Sequence, residues 1–158
     1  MRIGQSTDIH PFAGNRKLVL GGVIIPYEKG LAGHSDADVL VHAVIEAIIG
    51  AMGLGDIGSH FPDTDPQYEG ISSLVLLRKT RELMEENNCS IGNVDALVLI
   101  EEPKLRPYVE EMKKNIADAL NCETARINVK ATRGEKLGFI GRKEGVMAQA
   151  VVLLEEVR

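Results

Sequence analysis

The segment that most constrains the fold is the run Val39–Met52, which is apolar on nearly every side. A helix of this character belongs inside a protein core. Its polar exceptions, Asp38, His42 and Glu46, follow one another at intervals of four residues and therefore form one stripe. Because an unpaired buried polar group costs about 1–3 kcal/mol, this stripe must find partners on neighbouring elements. The chain must therefore fold around this helix.

Length and composition predict a single soluble domain over residues 1–158. The net charge is -5 and no dense basic run occurs, so we expect no nucleic-acid partner. No apolar stretch approaches the roughly 20 residues that span a bilayer, and the N-terminal residues resemble no targeting signal. Cys89 and Cys122 are isolated, which favours free thiols in a reducing compartment. We therefore expect a cytoplasmic protein with no membrane contact.

Strand-like and helix-like runs alternate imperfectly along the chain. The helix-like runs are Asp36–Met52, Ile71–Glu86 and Pro107–Leu120. The strand-like runs are Arg2–Ile9, Lys17–Leu20, Val23–Ile25, Val94–Glu101, Ile127–Thr132 and Val146–Leu154, with a hairpin near Gly21-Gly22. This order predicts an α+β fold, a two-layer α/β sandwich whose mixed sheet of the four-stranded type is covered by helices on one face.

A metal site is one interpretation of Asp8, His10 and His42. On a strand, residues two apart point to the same face, so the side chains of Asp8 and His10 can converge. His42 on the buried helix would be the third ligand, and such a set leaves a fourth position open, as in catalytic zinc sites. The alternative is that His42 is a core histidine with a hydrogen bond to a neighbouring strand. The residues alone leave both open.

The segment before the buried helix has the features of an anion site. Ser35 and Asp38 are spaced as in a capping box, and His34 would lie just outside the helix N-terminus. Free N–H groups and the helix dipole favour an anion there. A plain cap explains Ser35 but not the histidine beside it. Together with His42 in the same helix, these features favour phosphate binding next to a metal.

The next segment matches a glycine motif without its structural context. Gly53–Gly58 satisfies GxGxxG, but a helix precedes it, whereas the dinucleotide motif requires a strand before it and a helix after it. We therefore predict no dinucleotide site. Asp56, Asp63, Thr64 and Asp65 follow in a loop that is either a turn-rich connection or a holder of sugar hydroxyls.

Charged residues follow two of the predicted strands. Lys104 and Arg106 follow the strand that ends near Ile100, and either nucleotide binding or simple solvation explains them. Thr132–Glu135 follows the strand Ile127–Thr132, a frequent location for active-site groups in α/β proteins. Glu135 could ligate Mg²⁺ shared with substrate phosphates.

Several motifs, in this order, resemble one family. They are Asp8-x-His10, Ala32–Val39 with His42, Gly55–Gly58, Phe61–Asp65, Gly92–Asp95, Pro103-Lys104, Lys130–Thr132 and Glu135–Phe139 with Gly141-Arg142. They resemble the 2-C-methyl-D-erythritol 2,4-cyclodiphosphate synthases of the non-mevalonate isoprenoid pathway over nearly the whole chain. The resemblance implies a lyase whose substrate is 4-diphosphocytidyl-2-C-methyl-D-erythritol 2-phosphate. In this reaction the 2-phosphate attacks the β-phosphorus and CMP leaves.

The resemblance also implies an assembly, cofactors and residue roles. It implies a homotrimer with sites between subunits, Zn²⁺ on Asp8, His10 and His42, and Mg²⁺ or Mn²⁺ on Glu135. His34 and Arg133 occupy the catalytic positions, and Phe139 and Arg142 lie toward a central cavity that can bind isoprenoid phosphates. The other substrate-binding positions are Ser35, Asp56, Ile57, Gly58, Phe61, Pro62, Asp63, Thr64, Asp65, Ile100, Glu101, Glu102, Pro103, Lys104, Leu105, Arg106, Ala131, Thr132 and Gly134.

Two segments depart from the family pattern. Thr132–Glu135 reads Thr-Arg-Gly-Glu where the family has Thr-Thr-Thr-Glu or similar, which leaves open whether Arg133 takes the middle threonine's place. Gln5-Ser6-Thr7 replaces a His-Gly-aromatic lead. Two other functions compete with the cyclase. One is a zinc hydrolase that activates water. The other is a non-catalytic trimer that binds nucleotide or isoprenoid phosphates through Arg133 and Arg142.

Overall fold

A computed structural model describes residues 1–157 of the chain and shows a mixed sheet with helices on one face. The strands are β1 (Arg2–Ala13), β2 (Leu18–Leu20), β3 (Val23–Ile25), β4 (Gly30–Leu31), β5 (Cys89–Leu99), β6 (Ile127–Thr132) and β7 (Gly145–Glu156). The sheet order is β4-β1-β7-β5-β6, and its β5–β6 pair is parallel while the other pairs are antiparallel. This confirms the predicted mixed sheet, with the two-residue β4 added at one edge. β2 and β3 form the predicted hairpin separately.

Five helices accompany the sheet in the described part of the chain. They are α1 (Val39–Met52), α2 (Ile57–His60), α3 (Ser73–Glu86), α4 (Val109–Leu120) and α5 (Gly138–Gly141), with single 3-10 turns at Pro66–Tyr68, Arg106–Tyr108 and Thr124–Arg126. α1 packs on β1 and β7, α3 packs on α1, and α4 packs against both α3 and β6. The two-layer α+β prediction is therefore confirmed. None of the helices within residues 1–157 has the length and apolar character to cross a membrane.

Strand β1 and helix α1 approach each other closely because residue 4 is glycine. Alternate residues of β1 face the helix layer, and Gly4 and Ser6 on that face are buried. A Cβ atom on Gly4 would lie 1.8 Å from the carbonyl oxygen of Ala47, which no side chain tolerates. Ser6 then donates a hydrogen bond to the Glu46 carboxylate at 2.9 Å. The helix therefore lies directly on the strand at this end.

The N-terminus of α1 differs from the predicted capping box. The helix begins at Val39, so Asp38 rather than Ser35 is its N-cap, and its side chain accepts from the backbone N–H of Val41. The same carboxylate, which is fully buried, also accepts from the N–H groups of Gly21 and Gly22 in the turn between β2 and β3. The capping prediction was wrong because it placed the helix start three residues too early. Asp38 thus joins the helix to the hairpin.

The sheet face opposite the helices carries exposed apolar side chains. Ile3, Ile9 and Val151 expose 73%, 52% and 47% of their surface, and all three lie on the paired strands β1 and β7. Large apolar side chains grouped on one sheet face mark a surface that another chain covers in many proteins. Cys89 and Cys122 are free thiols, as predicted.

We expect Gly4→Ala to destabilise the fold. The added methyl group would overlap backbone atoms of α1 rather than a flexible side chain, so strand and helix must separate. Overpacking of this kind costs about 3 kcal/mol. Urea unfolding at fixed protein concentration measures the change. Gly14→Ala is the control, because no atom lies within 4 Å of a Cβ there, and it should change stability by less than about 0.5 kcal/mol. Equal stability of the two variants would contradict the close approach.

Asp38→Asn tests the junction between helix and hairpin. Both carboxylate oxygens accept backbone N–H groups, so an amide must direct its own N–H₂ at one of these donors. A buried donor without an acceptor costs about 1–3 kcal/mol, and the free energy of unfolding should fall by that amount. Asp118→Asn, an exposed partner of Lys114, should be nearly neutral under the same conditions. A neutral Asp38→Asn would show that the buried carboxylate does not join the two elements.

Candidate functional site

Three side chains from β1 and α1 converge on one point. Oδ2 of Asp8 lies 3.0 Å from Nε2 of His10 and 3.3 Å from Nδ1 of His42, and the two ring nitrogens are 3.4 Å apart. The side chains expose 26%, 17% and 14% of their surface, respectively. The predicted convergence of Asp8 and His10 on one strand face is confirmed, and the helix adds His42.

The spacing of these atoms fits a metal ion. A tetrahedral zinc ion with bonds of about 2.0–2.1 Å holds its ligand atoms about 3.3–3.4 Å apart. Asp8, His10 and His42 are close to that spacing, and their two imidazoles and one carboxylate are a zinc ligand set with one open position. Among residues 1–157, this is the one group of three or more such side chains whose ligand atoms lie within 4.8 Å of one another. The group can therefore hold a divalent ion.

The remaining ring nitrogens of both histidines have partners. Nδ1 of His10 bonds the carbonyl oxygen of Ala32. Nε2 of His42 lies 2.8 Å from the Ser73 hydroxyl and 3.1 Å from the Ser35 hydroxyl. A metal-binding histidine almost always uses its second nitrogen in this way, which fixes the ring and its tautomer.

Electrostatics at the site favour an ionised Asp8. Burial alone would raise the pKa of the Asp8 carboxyl, but hydrogen bonds from His10 and His42 outweigh burial and hold that pKa below its usual value. Burial lowers the pKa of His10, whereas its hydrogen bond to Asp8 raises it, and the net shift is upward. The carboxylate is therefore a ready ligand, and a cation that displaces the protons would take their place between the three groups.

A cavity of about 380 Å³ opens beside the three ligands. Several predicted site residues line it together with unpredicted ones: Asp8, His10, Gly33, His34, Ser35, His42, Glu46, Ile57, Gly58, Phe61, Pro62, Asp63, Tyr68 and Leu76. Nε2 of His34 bonds the carbonyl oxygen of Asp65 at 3.1 Å, which connects His34 to the loop that follows Asp63. The structure therefore places the three predicted metal ligands along one cavity with His34, Ser35 and five residues of the predicted substrate-binding segment, namely Ile57, Gly58, Phe61, Pro62 and Asp63.

A second cavity, of about 320 Å³, lies at the ends of β5 and β6. Its lining consists of predicted residues, namely Ile100, Glu101, Pro103, Lys104, Leu105, Arg106, Ala131, Thr132, Arg133 and Glu135. The Glu101 carboxylate accepts from the N–H of Gly134 at 2.9 Å and fixes the loop that carries Arg133 and Glu135. Within one chain this cavity is separate from the first.

The remaining predicted residues line neither cavity. Asp56 caps α2 and Asp65 caps the turn at Pro66–Tyr68, so both have the turn-forming role that was the alternative interpretation. Glu102 is paired with Lys143 at 2.9 Å, and Arg142 is paired with Glu144 at 2.9 Å. Thr64, Gly134 and Phe139 are also absent from both linings.

Some residues of the site were not predicted. Glu46 lines the first cavity one helical turn after His42, and its place in the polar stripe was the available signal. Ser73 contacts both Asp36 and His42. Asp36 lies within the motif Ala32–Val39 but had no predicted role, and no local pattern marks Ser73. A larger cavity of about 600 Å³ lies at the other end of β7, around Cys89, Cys122 and Arg126, and contains no predicted site residue.

Comparisons with known proteins show the family to which the chain belongs. The YgbB family model matches residues 1–155. A 2-C-methyl-D-erythritol 2,4-cyclodiphosphate synthase from Geotalea uraniireducens (strain Rf4) is 57% identical over 155 residues, covering 98% of this chain and 99% of that protein.

Two solved structures share the fold. The bifunctional IspDF from Campylobacter jejuni has a TM-score of 0.94 at 44% identity, covering 98% of this chain, which spans 42% of that longer one. IspF from Plasmodium falciparum, in a CDP complex, has a TM-score of 0.87 at 37% identity and covers 99% of this chain and 97% of its own. Since the family model matches residues 1–155 and a curated relative at 57% identity is covered over 99% of its length, the chain belongs to the YgbB family.

Proposed function

We propose that this chain converts 4-diphosphocytidyl-2-C-methyl-D-erythritol 2-phosphate to 2-C-methyl-D-erythritol 2,4-cyclodiphosphate and CMP. The observation that carries the proposal is the group Asp8, His10 and His42, which opens on a cavity walled by His34, Ser35 and the segment Ile57–Asp63. Membership of the family and the names of its curated relatives support the same reaction.

The reaction needs charge neutralisation and positioning more than a protein nucleophile. An oxygen of the 2-phosphate forms a bond to the β-phosphorus. The bond from the β-phosphorus to the oxygen that bridges the α- and β-phosphates breaks, and its electron pair leaves with CMP. No water is consumed, and the product is a cyclic diphosphate. The chain must therefore hold both phosphates near each other and exclude water.

Metal ligation is proposed for four side chains. Asp8, His10 and His42 would hold Zn²⁺, which when bound supplies positive charge to phosphate oxygens. Glu135 would hold Mg²⁺ or Mn²⁺ together with substrate phosphates, as one exposed carboxylate can for such an ion. Its side chain is 78% exposed at the second cavity, which supports this role.

Each wall of the first cavity has a proposed contact with the substrate. His34 and Ser35 would contact the phosphates beside the metal, and Ile57 and Gly58 the ribose side. Asp63 and its neighbours Phe61 and Pro62 would contact the methylerythritol part. Of the residues that line neither cavity, Asp56, Thr64 and Asp65 are proposed to contribute through the loop that they shape.

The second cavity is the proposed cytidine site. A CDP complex of the Plasmodium falciparum relative supports a cytidine nucleotide as the ligand class. Lys104 and Arg106 would neutralise its phosphates, and the walls Ile100–Leu105 and Ala131–Gly134 would enclose the base and ribose. Arg133 is 59% exposed and lies 3.9 Å from Glu135, so its guanidinium can reach the same phosphates. We propose that Arg133 neutralises charge where other family members have threonine.

A homotrimer would unite the two cavities. They are separate within one chain, and the exposed sheet face around Ile3, Ile9 and Val151 offers a surface for neighbouring copies. We propose that the first cavity of one subunit faces the second cavity of its neighbour. Phe139 and Arg142 would then lie near the trimer axis, where an isoprenoid phosphate could bind. The cytoplasmic location stays a prediction.

Phosphorus NMR of the reaction tests the proposed function. Purified protein with the cytidyl substrate, Zn²⁺ and Mg²⁺ should yield one CMP for each cyclic diphosphate. His42→Ala should abolish turnover because it removes a ligand of the proposed metal. His60→Ala is the matched control, since His60 bonds the Leu54 carbonyl and does not line the cavity, and it should retain activity.

Three outcomes would contradict the proposal. Two linear phosphate products without a cyclic one would indicate a hydrolase. Tight CMP binding without turnover in folded, metal-loaded protein would indicate a non-catalytic binder. Undiminished turnover in His42→Ala would remove the metal site from the mechanism.

Mixing two impaired variants tests whether the site lies between subunits. His42→Ala removes the first cavity's function and Lys104→Ala weakens the second. When both chains are refolded together in equal amounts, random trimers place an intact first cavity beside an intact second one in about one quarter of sites. Recovery of about that share of wild-type activity is expected. Mixtures no more active than the better variant alone would contradict sites that are shared between subunits.

A further inference from the structure

We infer that Ser73 and Asp36 position His42 for metal binding, and that they do so by fixing which of its ring nitrogens carries the proton. This inference rests on the proposed metal site and extends it to two residues that never touch the ion. The ligand concerned is a divalent cation of the zinc class.

The ring of His42 faces two different environments. Nδ1 points to Asp8 and His10, with distances of 3.3 and 3.4 Å to their ligand atoms. Nε2 points away from that group, to the Ser73 hydroxyl at 2.8 Å. A neutral imidazole has one N–H and one lone pair, so metal binding through Nδ1 requires the proton on Nε2.

The direction of the Ser73 hydrogen bond follows from Asp36. The hydroxyl of Ser73 has a single hydrogen, which it donates to Oδ1 of Asp36. Its oxygen can then only accept from His42, so Nε2 must be the protonated nitrogen. The Asp36 carboxylate ends a series of hydrogen bonds that runs from His42 through Ser73. It strengthens both bonds, because charged acceptors make stronger hydrogen bonds than neutral ones.

Burial and backbone contacts hold this chain of bonds in place. Ser73 is fully buried at the first position of α3, and its N–H also donates to Oδ2 of Asp36 at 2.9 Å. The N–H of Asp36 donates to the carbonyl of Ile71, and the N–H of Gly70 donates to the carbonyl of His34. The two loops thus fix Asp36 and Ser73 on both sides of the bond they share.

A purely structural role for Ser73 is the alternative. Asp36 satisfies the first N–H of α3 in any case, and Ser72, the N-cap residue, makes no side-chain cap bond. If stabilising the helix start were the sole purpose, the Ser73 hydroxyl would affect stability and leave metal affinity unchanged. Thr80 offers a matched comparison, because it is a second fully buried hydroxyl in α3 and its hydrogen bond goes to the Leu76 carbonyl rather than to a metal ligand.

Metal titration of four variants tests the inference. Zn²⁺ affinity is measured by competition with a chelator, and Co²⁺ binding by its visible absorption, in wild type, Ser73→Ala, Asp36→Asn and Thr80→Val. Loss of such a supporting partner typically costs 10–100-fold in metal affinity, and we expect about tenfold for Ser73→Ala because Ser35 still faces Nε2. Asp36→Asn should weaken binding in the same direction, since an amide is the weaker acceptor. Thr80→Val should bind like wild type.

The outcomes separate this inference from the metal site itself. Circular dichroism first establishes that each metal-free variant is folded, and Asp36→Asn serves if Ser73→Ala is not. Wild-type affinity and an unchanged Co²⁺ spectrum in Ser73→Ala and Asp36→Asn would overturn the positioning role while leaving the metal site intact. Absence of binding in wild type, with no difference from His42→Ala, would overturn the metal site and this inference together. An equal loss in Thr80→Val would show a general effect of α3 stability and would also overturn the inference.

Discussion

The close packing of α1 on β1 determines where the metal ligands lie. Along the strand, Gly4 lies against the backbone of Ala47 and Ala51, Ser6 bonds Glu46, and Asp8 meets His42. Two residues of a strand advance about 6.6 Å and one helical turn about 5.4 Å, so successive inward positions face successive turns. A ligand pair on the strand and a ligand on the helix therefore meet only while the two elements stay in contact. The same contact that forms the core sets the geometry of the site.

The three polar residues in the stripe of the buried helix find different kinds of hydrogen-bond partner. Asp38 is fully buried and is used for structure, since it accepts three backbone N–H groups that join the helix to the hairpin. Glu46 bonds Ser6 and lines the cavity. His42 lies between them. Its Nδ1 faces Asp8 and its Nε2 bonds the Ser73 hydroxyl. One ring nitrogen thus has the hydrogen-bond partner that a buried polar group needs, and the other keeps a lone pair available for a metal ion.

The sequence predicted the parts of this arrangement that depend on local periodicity. The strand spacing of Asp8 and His10 and the helical spacing of Asp38, His42 and Glu46 made Asp8, His10 and His42 candidate metal ligands, and the family resemblance favoured that interpretation over a core histidine. The start of α1 was predicted too early because Ser35 and Asp38 match a capping pattern that the backbone does not adopt; a residue at positive φ, Ala37, stands between them. The contact between Ser73 and Asp36 could not be predicted because it spans 37 residues, although Asp36 itself lies within the motif Ala32–Val39. The separation of the two cavities likewise depends on tertiary structure alone.

Anomalous diffraction at the zinc absorption edge, from crystals grown with Zn²⁺, tests the central claim most directly. We expect one anomalous peak beside Asp8 and His10, with His42 bound through Nδ1 and with its Nε2 hydrogen-bonded to the hydroxyl of Ser73. The same map would reveal whether the first cavity meets the second cavity of a neighbouring subunit. Zinc bound elsewhere, or a His42 ring turned so that Nε2 binds the ion, would contradict the claim that the packing of strand, helix and supporting loops preforms this metal site.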